Sequence, residues 1–240
     1  MNRTERRSYI PDDLCDRIRS EYVTSPRHLQ LVMDIALPIG PYTTINHIYR
    51  SFLWLLYSGM DADMTLRVAK EDLDFLRMKA RVPNGYTGYI AQHLYKSSTS
   101  GWLDYPIYAE AVYDLRMACD LTHFYEPGRA GGAERRYVRA AGFEILRGKK
   151  RGENQDDYQR LTYTIRPAIQ KAFEQMRMRS DMPDDPLPLW FPINLTPKKV
   201  ERSGKFFRAY TEERMGVPIW MDPHQELQEA YRIWKSLYRI

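Results

Sequence analysis

Apolar residues recur every three or four positions through the first part of the chain, which is typical of amphipathic helices. This spacing predicts four helices, over residues 14–23, 27–37, 45–58 and 61–69. Proline residues supply starts for the first two, at Pro11 and Pro26, and Gly59 caps the third. The opening of the chain therefore indicates a helical protein.

The period changes to two between Leu73 and Tyr108. Apolar Met78, Ala80 and Val82 alternate with basic Arg77, Lys79 and Arg81, which predicts a strand. Asn84-Gly85 is a turn dipeptide, so we expect a returning strand over 86–95 and a short edge strand over 102–108, ended by Pro106. These segments predict a small antiparallel sheet inserted among helices.

The remainder returns to helical spacing. Helices are expected over 109–121, 155–178, 197–215 and 223–239, with Pro167 kinking or dividing the second of these. Residues 128–152 form the most basic stretch, and YVRAAGFEILRG within it suits a short hairpin or an irregular loop. Residues 180–192 are rich in proline and aspartate and form a connector. The pattern predicts an α+β protein that is mainly α.

Composition narrows the classes of partner. The net charge is +5, and 26 arginines against 10 lysines favour a phosphate-rich partner, although a charge of +5 alone also serves solubility. Cys15 and Cys119 lack metal-like spacing and fit a reducing, cytoplasmic setting. No apolar run is long enough to span a membrane. The sequence has no glycine-rich phosphate loop and no metal or cofactor motif, so we expect neither metal nor cofactor.

The segment YSGMDADMTLRVAKEDLDF, from Tyr57 to Phe75, resembles a catalytic segment of the tyrosine recombinases, the phage-integrase class that cuts and rejoins DNA. Gly59, Asp72 and Asp74 stand in step with that segment. Asp61 occupies the place of the family's first catalytic arginine. The likeness covers residues 45–235. It implies a mainly α catalytic-type domain with a small antiparallel sheet, over 45–240, behind an arm and short helices at 1–44 without the family's separate N-terminal helical domain.

A second likeness lies in YKSSTSGWLDYPIYAEAV, which resembles the segment carrying the family's hairpin lysine. It implies that Lys96 protonates the leaving oxygen of the scissile phosphodiester. The alternative is that Lys96 is an ordinary solvated lysine on a turn.

The segment LTPKKVERSGKFFRAYTEERMG resembles the family's second arginine box. Keeping Thr196-Pro197 in register aligns Lys198 and Glu201 with the catalytic histidine and arginine. Sliding by one residue gives Lys199 and Arg202, which we prefer on chemical grounds. A basic helix face that contacts DNA backbone needs neither alignment.

His224 and Tyr231 complete the set implied by the resemblance. His224 lies near the family's spacing for its last histidine, and Tyr231 is the candidate for the nucleophile that forms a phosphotyrosine link. His224 also suits a cap at the start of the last helix. The implied catalytic set is therefore Lys96, Lys199, Arg202, His224 and Tyr231.

The resemblance implies a double-stranded DNA partner and a role in DNA recombination or integration for a mobile element. The cations expected to contact DNA are Arg135, Arg136, Arg139, Arg147, Lys149, Lys150, Arg151, Lys198, Lys205 and Arg208. An acid at Asp61 repels phosphate and removes a donor worth about 3–4 kcal/mol to the transition state, so we expect impaired or absent strand cleavage. Two alternatives stay open: an active recombinase with a rearranged pocket, and a helical protein-interaction module that self-associates through its C-terminal helix.

Overall fold

The computed structural model describes residues 10–83, 102–125, 134–136, 154–179, 191–215 and 225–238. These residues form a mainly helical protein with a small antiparallel sheet, which confirms the expected α+β class. The α-helices, in chain order, are α1 Asp12–Glu21, α2 Pro26–Ala36, α3 Asn46–Tyr57, α4 Ala62–Arg67, α5 Val112–Asp120, α6 Asn154–Arg179, α7 Pro197–Arg214 and α8 Gln225–Tyr238. The strands are β1 Leu73–Asp74, β2 Lys79–Pro83, β3 Trp102–Pro106, β4 His123–Tyr125 and β5 Glu134–Arg136.

Helix α3 lies at the centre of the molecule. All of its residues are buried, and it packs against α4, α5 and α7. Its second half, FLWLLY, is apolar on every face, and a helix of that kind is stable only when it is enclosed on all sides. The helix ends at Tyr57, and Gly59 follows with a φ of 96°, which is accessible to glycine without strain. This glycine turns the chain directly into the segment that begins with Met60 and Asp61.

The three-stranded sheet has the order β1-β2-β3 and is antiparallel throughout. Ala80 pairs with Tyr105, and both side chains are buried in the main hydrophobic core. Arg81 pairs with Asp104 on the opposite, solvent-facing side. The alternation expected for residues 77–82 therefore produces a sheet with one apolar and one charged face.

A second, smaller hydrophobic cluster joins the two ends of the described chain. It consists of residues from α1, α7 and α8, among them Ile18, Phe206 and Trp234. The Trp234 indole Nε1 donates a hydrogen bond of 2.9 Å to the carbonyl of Val23. Helix α2 contributes Leu29 and neighbouring residues to the main core and packs on α6. Residues 10–44 thus pack directly on the helices that follow them.

Some elements differ from the sequence expectations, among them β1, which was not expected. Of the two outcomes expected at Pro167, a kink or a division, the division does not occur, because α6 continues through this residue. Proline removes the hydrogen bond to the carbonyl of residue 163, and this site is exposed, so water can satisfy that carbonyl. The hairpin of β4 and β5 was not expected, because three-residue strands give too short an alternation to detect. The expected strand over 86–95 and the YVRAAGFEILRG segment lie outside the described residues.

Candidate nucleic-acid interface

The turn after α3 positions Asp61, the residue that the resemblance aligns with a catalytic arginine. Its carboxylate Oδ1 accepts a hydrogen bond of 2.7 Å from the backbone N–H of Met64. Its carbonyl oxygen accepts bonds from the backbone N–H and the hydroxyl of Thr65, at 2.9 and 2.8 Å. Asp61 is therefore the N-cap of α4, where aspartate satisfies donors that the first helical turn leaves unpaired. The local sequence favours this acid for structural reasons.

Helix α7 packs against the end of α3 at a position where no side chain fits. A Cβ on Gly204 would lie 1.7 Å from the carbonyl oxygen of Tyr57. The Tyr57 ring in turn packs against Tyr108 and Phe207, with centroid separations of 5.3 and 6.1 Å. The glycine thus brings the backbone of α7 onto the residue that leads into the Asp61 turn.

Helix α7 begins as the Thr196-Pro197 pair predicts. The Thr196 hydroxyl accepts a hydrogen bond of 3.3 Å from the backbone N–H of Lys199, and Pro197 occupies the first turn. Val200 is fully buried in the main core. The threonine therefore fixes the start of the helix and, with it, the direction of every basic side chain that follows.

Lys199 and Arg202 face α1. The Lys199 ammonium lies 2.5 Å from a carboxylate oxygen of Glu21. Burial raises the pKa of the Tyr22 phenol, and the hydrogen bond and positive charge of Arg202 oppose that rise. At 3.6 residues per turn, Arg202 lies about 160° around the helix from Gly204. The structure therefore places this preferred pair on the side of α7 away from the Tyr57 turn.

Helix α7 also carries a row of ion pairs. Glu201, which is only 3% exposed, accepts from Lys198 at 2.9 Å and from Lys205 at 2.5 Å. One turn further on, Arg208 donates to Glu212 at 2.6 Å. The three cations expected to contact DNA on this helix therefore share one face, and the two carboxylates interleaved with them offset most of their charge.

Tyr231, the expected nucleophile, lies in the second hydrophobic cluster. Its hydroxyl donates a hydrogen bond of 3.1 Å to Glu213, and its ring stacks on Trp234. Burial, followed by the contact with the Glu213 carboxylate, raises the pKa of the Tyr231 phenol well above its usual range. A nucleophilic tyrosinate requires the opposite influence, namely nearby positive charge. In this conformation Tyr231 and Trp234 dock within their own chain, and self-association through α8 stays a prediction.

Several expected site residues fall outside the described part of the chain. These are Lys96, Arg139, Arg147, Lys149, Lys150, Arg151 and His224. Lys96 belongs to the segment that connects β2 to β3. Arg135 and Arg136 lie on β5, where their backbones pair with Phe124 and His123. The described structure therefore groups Lys198, Lys205 and Arg208 along α7, whereas Lys199 pairs with Glu21 of α1.

The outer face of β2 carries basic side chains that were not among the expected DNA contacts. Arg77 precedes the strand, and Lys79 and Arg81 follow at alternate positions, each with half or more of its side chain exposed. Asp104 on β3 lies between the last two, at 3.3 Å from Lys79 and 2.9 Å from Arg81. The alternation that predicted the strand also contained this signal, because it places Lys79 and Arg81 on the face opposite the core.

A cleft of about 360 Å³ separates this sheet from α7. Its lining includes Tyr105, Tyr108 and Phe207, with Lys79 contributed by the sheet and Arg208 by the helix. The basic face of β2 and the charged row of α7 therefore border the same depression.

A buried polar network at α3 also went unrecognised. Asp114 on α5 is 1% exposed and accepts hydrogen bonds from Arg50 at 2.9 Å and from the Trp54 indole at 3.0 Å. Arg50 also donates to Asp34 on α2 at 2.8 Å. The His47 Nδ1 lies 3.5 Å from the other Asp114 oxygen. This network joins three helices and is structural rather than part of the candidate interface.

Comparison of the chain with protein-family models, curated proteins and solved structures gives no match. Within the ranges that the structure describes, no group of three or more His, Cys, Asp or Glu side chains is arranged to bind a metal ion. In the same ranges no helix combines the length and apolar character needed to cross a bilayer.

Proposed function

We propose that this chain is a DNA-binding protein on a tyrosine-recombinase-like scaffold, serving DNA recombination or integration of a mobile element, with strand cleavage impaired or absent. The order of elements supports the scaffold. A buried helix ends at Tyr57, the Gly59 turn follows, and a three-stranded sheet then has Lys96 in the connection between its second and third strands. Helix α7, which begins at Thr196-Pro197, packs back on that turn.

The observation that carries the proposal is the position of Asp61. The turn in question adjoins α7 through Tyr57 and Gly204, and it presents a carboxylate where the resemblance requires a fixed cation. In the alignment that keeps Thr196-Pro197 in register, a second acid, Glu201, stands at the other arginine position. In the preferred alignment Arg202 keeps that position, and the Asp61 carboxylate alone, in place of a guanidinium group, would repel the phosphate whose developing charge it should stabilise. We therefore expect the chain to bind DNA without cleaving a strand.

Exposed cations on the sheet and on α7 supply the binding surface. Phosphate contacts from lysine and arginine release counterions, so affinity should fall steeply as salt is raised. The ion pairs of Lys79 and Arg81 on the sheet, whose cations are half exposed, contribute at most about 1 kcal/mol each, so DNA phosphates can replace their carboxylate.

Fluorescence anisotropy with a labelled duplex tests DNA binding. Replacing Lys79, Arg81 and Arg208 by glutamine should lower affinity and reduce the slope of log Kd against log salt by about one for each phosphate that the variant no longer neutralises. A matched control replaces three exposed cations of α6, Arg166, Lys171 and Arg177, by glutamine. This control removes the same formal charge from a different surface. Equal losses in both triple variants, or no binding by the parent chain, would count against the proposed interface.

A suicide DNA substrate, which traps covalent phosphotyrosine, tests cleavage. We expect no adduct from the parent chain, because burial and Glu213 keep the Tyr231 phenol protonated. An adduct that disappears in Tyr231→Phe would instead establish the active recombinase.

A further inference from the structure

The turn between β1 and β2 holds a leucine almost wholly in water. Leu76 is 96% exposed, although burying such a side chain stabilises a protein by about 1.5–3 kcal/mol. Other exposed apolar residues are found on the described surface, but Leu76 is the most exposed of the large ones. Its position at the tip of a turn leaves it accessible to a macromolecule from several directions.

The turn is fixed on both sides of this leucine. The Asp74 carboxylate accepts hydrogen bonds from the backbone N–H groups of Leu76, at 3.1 Å, and of Arg77, at 2.9 Å. Met78 adopts a φ of 54° and packs its side chain against the main core. Phe75 also packs on that core, with the Arg116 guanidinium 5.1 Å from its ring centroid. Rigid anchors therefore hold Leu76 outward, so little ordering entropy is lost when it makes a contact.

Cations follow the leucine along the strand. Arg77 lies in the turn, and Lys79 and Arg81 follow at alternate positions on the exposed side of β2, where their charges are spaced by about 7 Å. Their acidic partners are Asp74 and Asp104, and these exposed pairs are weak enough to exchange for phosphates. Leu76, an apolar side chain followed along the chain by cations, is complementary to a partner that has an apolar interior and anionic groups along its edges.

We propose that the β1–β2 turn is a minor-groove wedge, in which Leu76 inserts between base pairs of duplex DNA while Arg77, Lys79 and Arg81 contact the adjacent phosphates. This inference rests on the proposed DNA-binding function and specifies how the duplex is held. Leucine is among the residues that unstack a base step in this way, and such wedges bend the duplex towards the major groove by about 20–90°. The minor groove is about 6 Å wide and admits a single side chain at a turn. An apolar protein partner would gain nothing from the basic row.

The experiment uses the full chain and a duplex of about 30 base pairs with a fluorophore on each end, so that energy transfer reports bending. A second duplex carries 2-aminopurine, whose fluorescence rises when its neighbours unstack. Leu76→Ala removes the wedge, and its thermal midpoint should equal that of the parent because the side chain is almost fully exposed. Leu31→Ala, at a partly exposed leucine on α2, is the matched control.

We expect the parent chain to shorten the distance between duplex ends and to raise 2-aminopurine fluorescence. Leu76→Ala should lose both signals and bind about tenfold more weakly, while its salt dependence stays unchanged because its cations are intact. Leu31→Ala should match the parent. Binding and bending that survive Leu76→Ala would overturn the wedge and leave DNA binding standing. Failure of the parent chain to bind the duplex would overturn both.

Discussion

Gly204 on α7 lies directly against the backbone carbonyl of Tyr57 on α3, with room for a hydrogen but not for a methyl group. This contact sets the distance between the central helix and the helix that carries five of the candidate basic residues. Position 204 is therefore the most sensitive single position for the distance between the Asp61 turn and α7.

Gly204→Ala should destabilise the protein even though alanine favours helices. The substitution gains about 1 kcal/mol of helix propensity. Overpacking against a backbone that cannot yield costs about 1–3 kcal/mol or more, so the net effect is a loss. Urea denaturation measures it. Gly40→Ala is the control, since the new Cβ would lie 3.5 Å from the Thr43 hydroxyl, an ordinary contact. A parent-like midpoint for Gly204→Ala would show that α7 is free to move away from α3.

Asp114 should be among the most sensitive acids for stability. Asp114→Ala leaves the Arg50 guanidinium buried beside a cavity and removes the acceptor for Trp54, so we expect a loss of about 3–5 kcal/mol. Asp120→Ala, on the same helix, breaks an exposed pair with Lys70 and should change stability by less than about 1 kcal/mol. Chemical denaturation of the two variants compares them. Similar small losses would mean that Asp114 does not carry the network.

The helices and the paired strands β2 and β3 were predictable because their signals are local. Periodicity located α1, α2 and α3, and Thr196-Pro197 located the start of α7, each within a few residues. Gly59 was expected to end α3, and its positive φ confirms the reason. A repeating apolar pattern and a cap are properties of neighbouring residues, so the sequence alone is enough to identify them.

Side-chain partners across the fold were not predictable in the same way. Lys199 meets Glu21, and Arg50 meets Asp114, at separations along the chain that no local pattern encodes. The sequence alone did not determine which face of α7 is buried. Burial of Val200 determines it, and it therefore also determines which cations point towards α1. The family resemblance accounts for Asp61 only as a replaced arginine, whereas the hydrogen bond to Met64 gives this acid a local purpose.

Asp104 should stabilise the sheet in a pH-dependent manner. The hydrogen bond from Arg81, with a further contribution from Lys79, holds the pKa of this carboxyl below its usual range. A lowered folded-state pKa means that the stabilisation is fully present above the unfolded pKa and is lost as pH falls through the folded one. Asp104→Asn should therefore cost up to about 1 kcal/mol at neutral pH, and the difference from the parent should shrink below about pH 4. Urea titrations at several pH values test this, and a difference that grows on acidification would contradict it.

Asp61 offers a way to separate capping from charge. Asparagine caps helices about as well as aspartate, so Asp61→Asn should keep the parent's stability while it removes a negative charge from the turn beside α7. Asp61→Ala removes the same charge and also the acceptor for the Met64 N–H, so it should lose about 1 kcal/mol. Both variants should bind duplex DNA more tightly than the parent at low salt, because one carboxylate no longer repels phosphate. Anisotropy and thermal denaturation on the same samples give both quantities. Unchanged affinity in both variants would place the Asp61 turn outside the DNA interface.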